Sequence, residues 1–420
     1  MLTSPSQRQR KTFSLGLFGI VLSLFALSSC GGGGADDTLP TPPPPSSDFG
    51  AKTISTVART GVAGHWGYTA PDGNRYVLMG TAKGILVLDL RDSANPRVVD
   101  EIDGPTNTQA PGIYWREMRV FGHYAYIVSE HTNVRGGIMI VDLSGLPNTV
   151  RYVKSVMPHD GEMPAHTVDI DTSRGLLYLQ REQNGQHGSI PFASSAIAKT
   201  KELLTRKIQS EKPLEPIGPA NQGAVEIWDV KTDPENPIYV STFNQNHSVH
   251  DMTAVGNFCY VAEGYANSFS KWDVSDPKNP QLVVRWNVEP GHFSHAIWPS
   301  GDGTFAVTTE ELPVGLPARV WQFNGTAPPT LLSSFRIGTG TPHNVILEGR
   351  IAYLSHYSEG AAVVDLTNPA VPRVVAQKDT NGLNGPNLGG CWGVYKFPGV
   401  ALMSCSDIDT GFHLIEVTGK

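Results

Sequence analysis

His166, His250, His295 and His343 each hold the second position of a short phrase that recurs along the chain at intervals of roughly 45 to 50 residues, with one longer gap. The full series is His65-Trp66-Gly67-Tyr68, Trp115-Arg116-Glu117-Met118, Ala165-His166-Thr167-Val168, Val249-His250-Asp251-Met252, Ser294-His295-Ala296-Ile297, Pro342-His343-Asn344-Val345 and Cys391-Trp392-Gly393-Val394. Imidazole is a common ligand of transition metals, and four imidazoles at equivalent stations would suit Zn, Cu, Fe or Mn if the fold gathers the stations. The same ring has a purely structural reading, because hydrogen-bonded histidines and ordered water line polar channels without any ion.

The elements that would gather them follow from the repeat. A period of this size made of short strands is the mark of a β-propeller blade. In one blade, His250 to Val255 starts a strand, Gly256-Asn257 turns it, and Phe258 to Ala262 returns antiparallel. Ser270 to Val274 forms a third strand, Asp276 to Pro280 a turn, and Gln281 to Val288 the outer strand. The third strand and its turn recur as Gly84 to Leu90 before Asn95-Pro96, Gly137 to Leu143 before Leu146-Pro147, Ala224 to Val230 before Asn236-Pro237 and Ala361 to Leu366 before Asn368-Pro369. The aspartates closing these strands, Asp89, Asp142, Asp229, Asp273 and Asp365, are expected to cap the following turn. The last repeat runs out of chain after its third strand, and Lys52 to Arg59 alternates like the missing one. The expected fold is therefore all-β, a seven-bladed propeller of four-stranded antiparallel blades closed by an N-terminal strand, with no open edge.

Inner strands of a propeller run parallel around a central channel, so the phrases begin on one rim. His166, His250, His295 and His343 should meet at the channel mouth, with Trp66, Arg116 and Trp392 completing the circle. Second strands deliver Ser129-Glu130-His131, Glu182, Glu263, Glu310-Glu311, His356 and Asp407 to the same rim. Strand counting sets Glu263 across from His250, where a carboxylate would orient a liganding imidazole. The candidate ligand-binding set is Trp66, Arg116, Glu130, Glu263, Glu310, Trp392 and Asp407. Trp66, Tyr68, Trp115, Trp392, Tyr265 and Tyr357 either form platforms for sugars or other ligands, or Trp66 and Trp392 plug the channel. Arg116 either clamps an anion or pairs with Glu130. No Gly-x-Ser-x-Gly elbow or His-Glu-x-x-His helix is present, and Ser294-His295 point to opposite faces of a strand. Glu130, Glu263 and Glu310 would be the acids of a glycosidase, but rings of carboxylates also serve simple binding. The balance favours a binding or scaffolding module over an enzyme, with a metalloenzyme as the alternative.

Cys391 and Cys405 lie symmetrically about Phe397-Pro398-Gly399 and are expected to form a disulfide, leaving Cys259 a buried thiol. A net charge of -7 with no basic cluster argues against nucleic acid. Residues 181–222 interrupt the third blade. Ile197, Leu203, Leu204 and Ile208 have near-helical spacing there, which suits a lid, a docking arm or a passive excursion.

The chain's start reads as an export signal over residues 1–29: Arg8, Arg10 and Lys11, then an apolar run from Phe13 to Leu27. Leu27-Ser28-Ser29-Cys30 resembles the lipobox of bacterial lipoproteins, which implies cleavage before Cys30 and lipid on its thiol. Gly31, rather than Asp, implies the outer membrane by the enterobacterial sorting rule. Residues 30–48, Gly- and Pro-rich, form a tether, and 49–420 the propeller. The third-strand series resembles the LVIVD repeat. The ordered series Trp-Arg-Glu, Ser-Glu-His, Ala-His-Thr, Val-His-Asp, Ser-His-Ala, Pro-His-Asn and Ser-Asp-Ile is similar to the "choice-of-anchor B" surface proteins. That resemblance implies a secreted, surface-anchored propeller, and the lipobox resemblance adds a lipid anchor in the bacterial envelope. Its expected partners are the membrane, through Cys30, and an extracytoplasmic protein or glycan.

Overall fold

The structure, a computed structural model, describes residues 49–106, 112–113, 115–129, 134–159, 165–181, 190–191 and 223–419. The expected signal, tether and lipid-bearing Cys30 lie outside these residues, as do Glu130, His131, Glu182 and nearly all of the 181–222 insertion. Seven four-stranded antiparallel sheets form a ring, a seven-bladed β-propeller with no helix among the described residues. Blade 4 is typical, with strands Asp251–Val255, Phe258–Ala262, Ser268–Asp273 and Gln281–Asn287 in order from the axis outward. Its first turn needs Gly256, whose φ of +58° is strained for any residue with a Cβ. The third strand begins two residues earlier than alternation alone suggested, because Ser268 pairs with Asn287.

The ring closes as the repeat count requires. Gly50–Ala58 pairs antiparallel with Gly411–Thr418 and becomes the outer strand of blade 7, with Leu402–Asp407 and then the inner Cys391–Lys396 on the far side of Gly411–Thr418. The hydrophobic core lies between neighbouring blades, not within any one. Leu78 and Val87 of blade 1 pack with Met118, Ile127 and Val141 of blade 2, and Val307 and Val320 of blade 5 pack with Leu354 and Val364 of blade 6. Each blade therefore buries its two apolar faces only when both neighbours are present. Outside the blades, Ile190–Pro191 from the insertion pairs with Gly112–Ile113, on the approach to blade 2.

All five third-strand aspartates accept the backbone amide two residues on: Arg91, Ser144, Lys231, Ser275 and Thr367, at 2.8–2.9 Å. Three of them carry a second device that the repeat had not suggested. The arginine opening the outer strand reaches back, from Arg97 to Asp89, Arg151 to Asp142 and Arg373 to Asp365. Burial alone would raise the Asp89 carboxyl, but Arg91, Arg97 and the Arg91 amide together hold it at about 2. Asp89→Ala should cost about 2 kcal/mol in urea unfolding, since charge-assisted bonds are lost. Asp273→Ala, which loses the turn amide without such an arginine, should cost less. Equal costs would show that the arginine adds nothing.

Candidate functional site

The inner strands of the seven blades touch in succession around the axis and return to the first. A strand in this position has a partner on one side only, so its other row of backbone groups faces the channel or the next blade. Side chains from the preceding blade cap several of those carbonyls. His250 donates Nδ1–H to the His295 carbonyl at 2.9 Å, and Thr253 donates to Ile297 at 2.7 Å. Thr309 donates to the His343 carbonyl at 2.6 Å, while His343 Nδ1 and Ser355 both donate to the Trp392 carbonyl. Gln180 reaches the Val249 carbonyl in the same direction. A carbonyl only accepts, so His250 and His343 each carry a proton on Nδ1, and in the neutral ring of His343 Nε2 is the lone-pair end.

The four phrase histidines are buried and adjacent. Ring centroids lie 4.5 Å apart for His166 and His250, 4.4 Å for His250 and His295, and 4.0 Å for His295 and His343. The arc continues through Trp392 at 4.7 Å from His343, and Trp392 stacks on Trp115 at 5.6 Å with the planes 10° apart. Burial lowers the His343 ring to about 3 despite its bond to Trp392, with His166 adding to the effect. His65, first in its own phrase, is different in kind. Its two nitrogens face the Ser404 and Ser406 hydroxyls at 2.8 and 3.0 Å.

Among the described residues, two groups of three bring potential ligand atoms within 4.8 Å of one another. One is His295, Glu311 and His343, in which Glu311 Oε2 lies 4.0 Å from His295 Nε2 and Oε1 lies 3.9 Å from His343 Nε2. The other is Glu289, His292 and Glu310, where Arg319 already spans both carboxylates at 2.7 and 3.0 Å. The arc thus joins His295 and His343 through a carboxylate, while His166 and His250 extend it as stacked neighbours.

The carboxylates expected at the rim are placed as follows. Glu263 does not orient His250. It turns to the outer side of blade 4, where Arg285 clamps it at 2.8 and 2.9 Å and Asn244, Ser268, Ser270 and His247 complete its shell. Glu310 serves Arg319 and His292. Asp407 is fully buried and accepts from Thr380, Asn381, Asp409 and Thr410, which makes it the cap of the last turn. Arg116 is buried and donates to the Pro105 carbonyl, 3.0 Å from Nε. Trp66 lies edge-on to Tyr395 at 4.7 Å, with the Arg119 guanidinium 4.0 Å over its ring. Trp392 is 2% exposed and packs with Tyr357 and Ile408. Cys391 and Cys405 are disulfide-bonded, although a register shift places Cys405 opposite Val394 and Cys391 opposite Asp407. Cys259 is a buried thiol.

Below the arc lies a charged layer that the motif reading passed over. The third phrase position faces the channel, bringing Glu117, Asp251 and Asn344 into its lining with Arg119 and Thr253. Arg119 binds Asp169 at 2.8 Å and Glu117 at 3.1 Å, and Asp251 accepts from Thr167 at 2.9 Å. Burial pushes the Glu117 carboxyl up to about 7 against the pull of Arg119, and raises Asp251 too. The signal was present as polar residues two apart: Glu117 and Arg119, Thr167 and Asp169, Asp251 and Thr253.

The chain carries LVIVD repeats, matched over residues 114–149 and 248–288, which fall on blades 2 and 4. Comparison with curated proteins found no match. Among solved structures, Raptor from Chaetomium thermophilum is 10% identical with a TM-score of 0.56, over 88% of this chain and 29% of that one. A protein from Lactobacillus plantarum is 15% identical, TM-score 0.54, over 82% of this chain and 88% of that one. A hypothetical selenium-binding protein from Sulfolobus tokodaii is 11% identical, TM-score 0.53, over 84% and 83%. At such identities the likeness is one of fold.

Burial alone would raise the Glu263 carboxyl, but His247 and Arg285 hold it at about 2, below its unfolded range. Its contribution is therefore complete above about pH 4.3 and is lost as pH falls toward 2. Glu263→Gln should cost about 3 kcal/mol at pH 7, since Arg285 is left without its charge. The penalty should shrink as unfolding is repeated at pH 4, 3 and 2. A penalty independent of pH would mean that shape, not charge, holds this station.

Proposed function

We propose that this protein is an extracytoplasmic binding module, tethered to the membrane by lipid on Cys30, that takes its ligand at the channel-mouth face. The observation that carries the reading is the arc of four buried imidazoles at equivalent stations of successive blades, extended by the Trp392–Trp115 stack. The clusters between blades 1 and 2 and between blades 5 and 6 are apolar, and Thr253, Thr309 and Ser355 cap inner-edge carbonyls of the same kind with a hydroxyl. Capping alone therefore does not require histidine. Rims built of aromatic and polar groups on a rigid ring suit recognition of a glycan or protein. The lipobox-like Leu27-Ser28-Ser29-Cys30 and the tether that follows supply the anchor, and the outer membrane is the proposed location. The resemblance to choice-of-anchor B surface proteins supports the same assignment.

Two measurements test this. Cys30→Ser should move the protein from the membrane fraction to the soluble extracytoplasmic fraction; retention in the membrane would refute the lipid anchor. For the face, full-length protein is to be probed with isolated envelope glycans. Binding should fall at least tenfold for His250→Ala and Trp115→Ala, and stay within twofold for Asp72→Ala, at the turn of the opposite rim. Equal binding by all three variants would remove the mouth from the assignment.

A further inference from the structure

We infer that the channel mouth holds a divalent first-row transition-metal ion, ligated by His295 Nε2, His343 Nε2 and a Glu311 carboxylate oxygen. This rests on the mouth being the binding face, and it names the first ligand there. Two imidazoles and one carboxylate, with the remaining positions open, form a recurrent donor set for Zn and non-haem Fe.

The geometry fits with some contraction. Metal–ligand bonds near 2.1 Å in a tetrahedral shell put ligand atoms about 3.4 Å apart. Glu311 Oε1 lies 3.9 Å from His343 Nε2, its Oε2 lies 4.0 Å from His295 Nε2, and one ligand atom from each residue lies within 4.8 Å of the others, so each pair need close by no more than about 1.4 Å. Both histidines are almost fully buried and Glu311 is 16% exposed, which leaves the carboxylate as the face an entering ion meets.

The surrounding residues already hold the donors in a liganding posture. His343 donates Nδ1–H to the Trp392 carbonyl, which fixes the tautomer and aims Nε2 at Glu311. Tyr357 donates its hydroxyl to Glu311 Oε1 at 2.5 Å and orients the carboxylate. Tyr357 does so from a φ of +34°, in the left-handed region that bulky residues seldom occupy. Its backbone is clamped there by paired bonds to Cys391, at 3.1 and 2.9 Å, and Cys391 is tied to Cys405. Strain of this kind, held by the surrounding structure, concentrates at functional sites.

The test uses full-length protein in detergent, stripped with chelator and dialysed, then titrated with Zn(II) alone by calorimetry and with Co(II) by ligand-field absorption. One ion per chain is expected. Glu311→Gln, nearly isosteric, should weaken Zn(II) binding more than 100-fold and abolish the Co(II) spectrum, with the metal-free unfolding midpoint unchanged. Tyr357→Phe, which keeps the ligands and removes the orienting bond, should weaken it about tenfold. Asp72→Ala, at the opposite rim, should change it less than threefold. No stoichiometric Zn(II), or wild-type affinity in Glu311→Gln, overturns the inference. A loss in Asp72→Ala as large as in Glu311→Gln also overturns it, by placing the ion away from the triad. If Zn(II) fails to bind while glycan capture still separates His250→Ala from Asp72→Ala, the metal site falls and the binding face stands.

Discussion

The innermost strand of each blade is an edge strand that must be buried. It pairs with its own second strand, and the opposite row of backbone groups meets only the neighbouring blade and the channel. Buried backbone groups need partners, and here the partners are side chains sent forward from one blade to the next. His250, Thr253, Thr309, His343 and Ser355 all perform this task in the same rotational sense. Histidine does more than the hydroxyls. Its ring is large enough to cap a carbonyl with one nitrogen and still offer the other to the axis. A requirement of the architecture thus becomes a means of presenting donors.

This arrangement separates the interior into levels. The rim holds imidazoles and indoles in close ring contact. Deeper in the channel, three carboxylates, Glu117, Asp169 and Asp251, lie around the guanidinium of Arg119. Burial is the main cause that lifts the Glu117 carboxyl to about 7, and Asp251 adds to it against the pull of Arg119.

Much of the architecture was legible because it is periodic. The phrase fixed the blade count, the Gly256-Asn257 turn fixed the pairing of Asp251–Val255 with Phe258–Ala262, and the incomplete last repeat pointed to Gly50–Ala58 as its outer strand. The convergence of the histidines was legible for the same reason. The carboxylates were not. At a strand end, a shift of one residue exchanges the two faces, so Glu310 serves Arg319 while Glu311 turns to His295 and His343. Glu263 sits where counting placed it along the chain, yet its side chain follows Arg285, a residue of the outer strand that no motif marks. Cys391 and Cys405 show the reverse: a bulge shifts the register between them, and the sulfurs still meet. Repeats reveal backbone stations, whereas the choice of partner at each station depends on residues that do not repeat.

The seam in blade 7 joins the first described strand to the last. No shorter length of chain can complete the circle, so six finished blades still lack one wall of their interfaces. Ring closure is thus the most non-local event the sequence permits, and by contact-order reasoning it should govern the rate at which the molecule folds. A nascent chain must hold Gly50–Ala58 in waiting until Gly411–Thr418 has been synthesised.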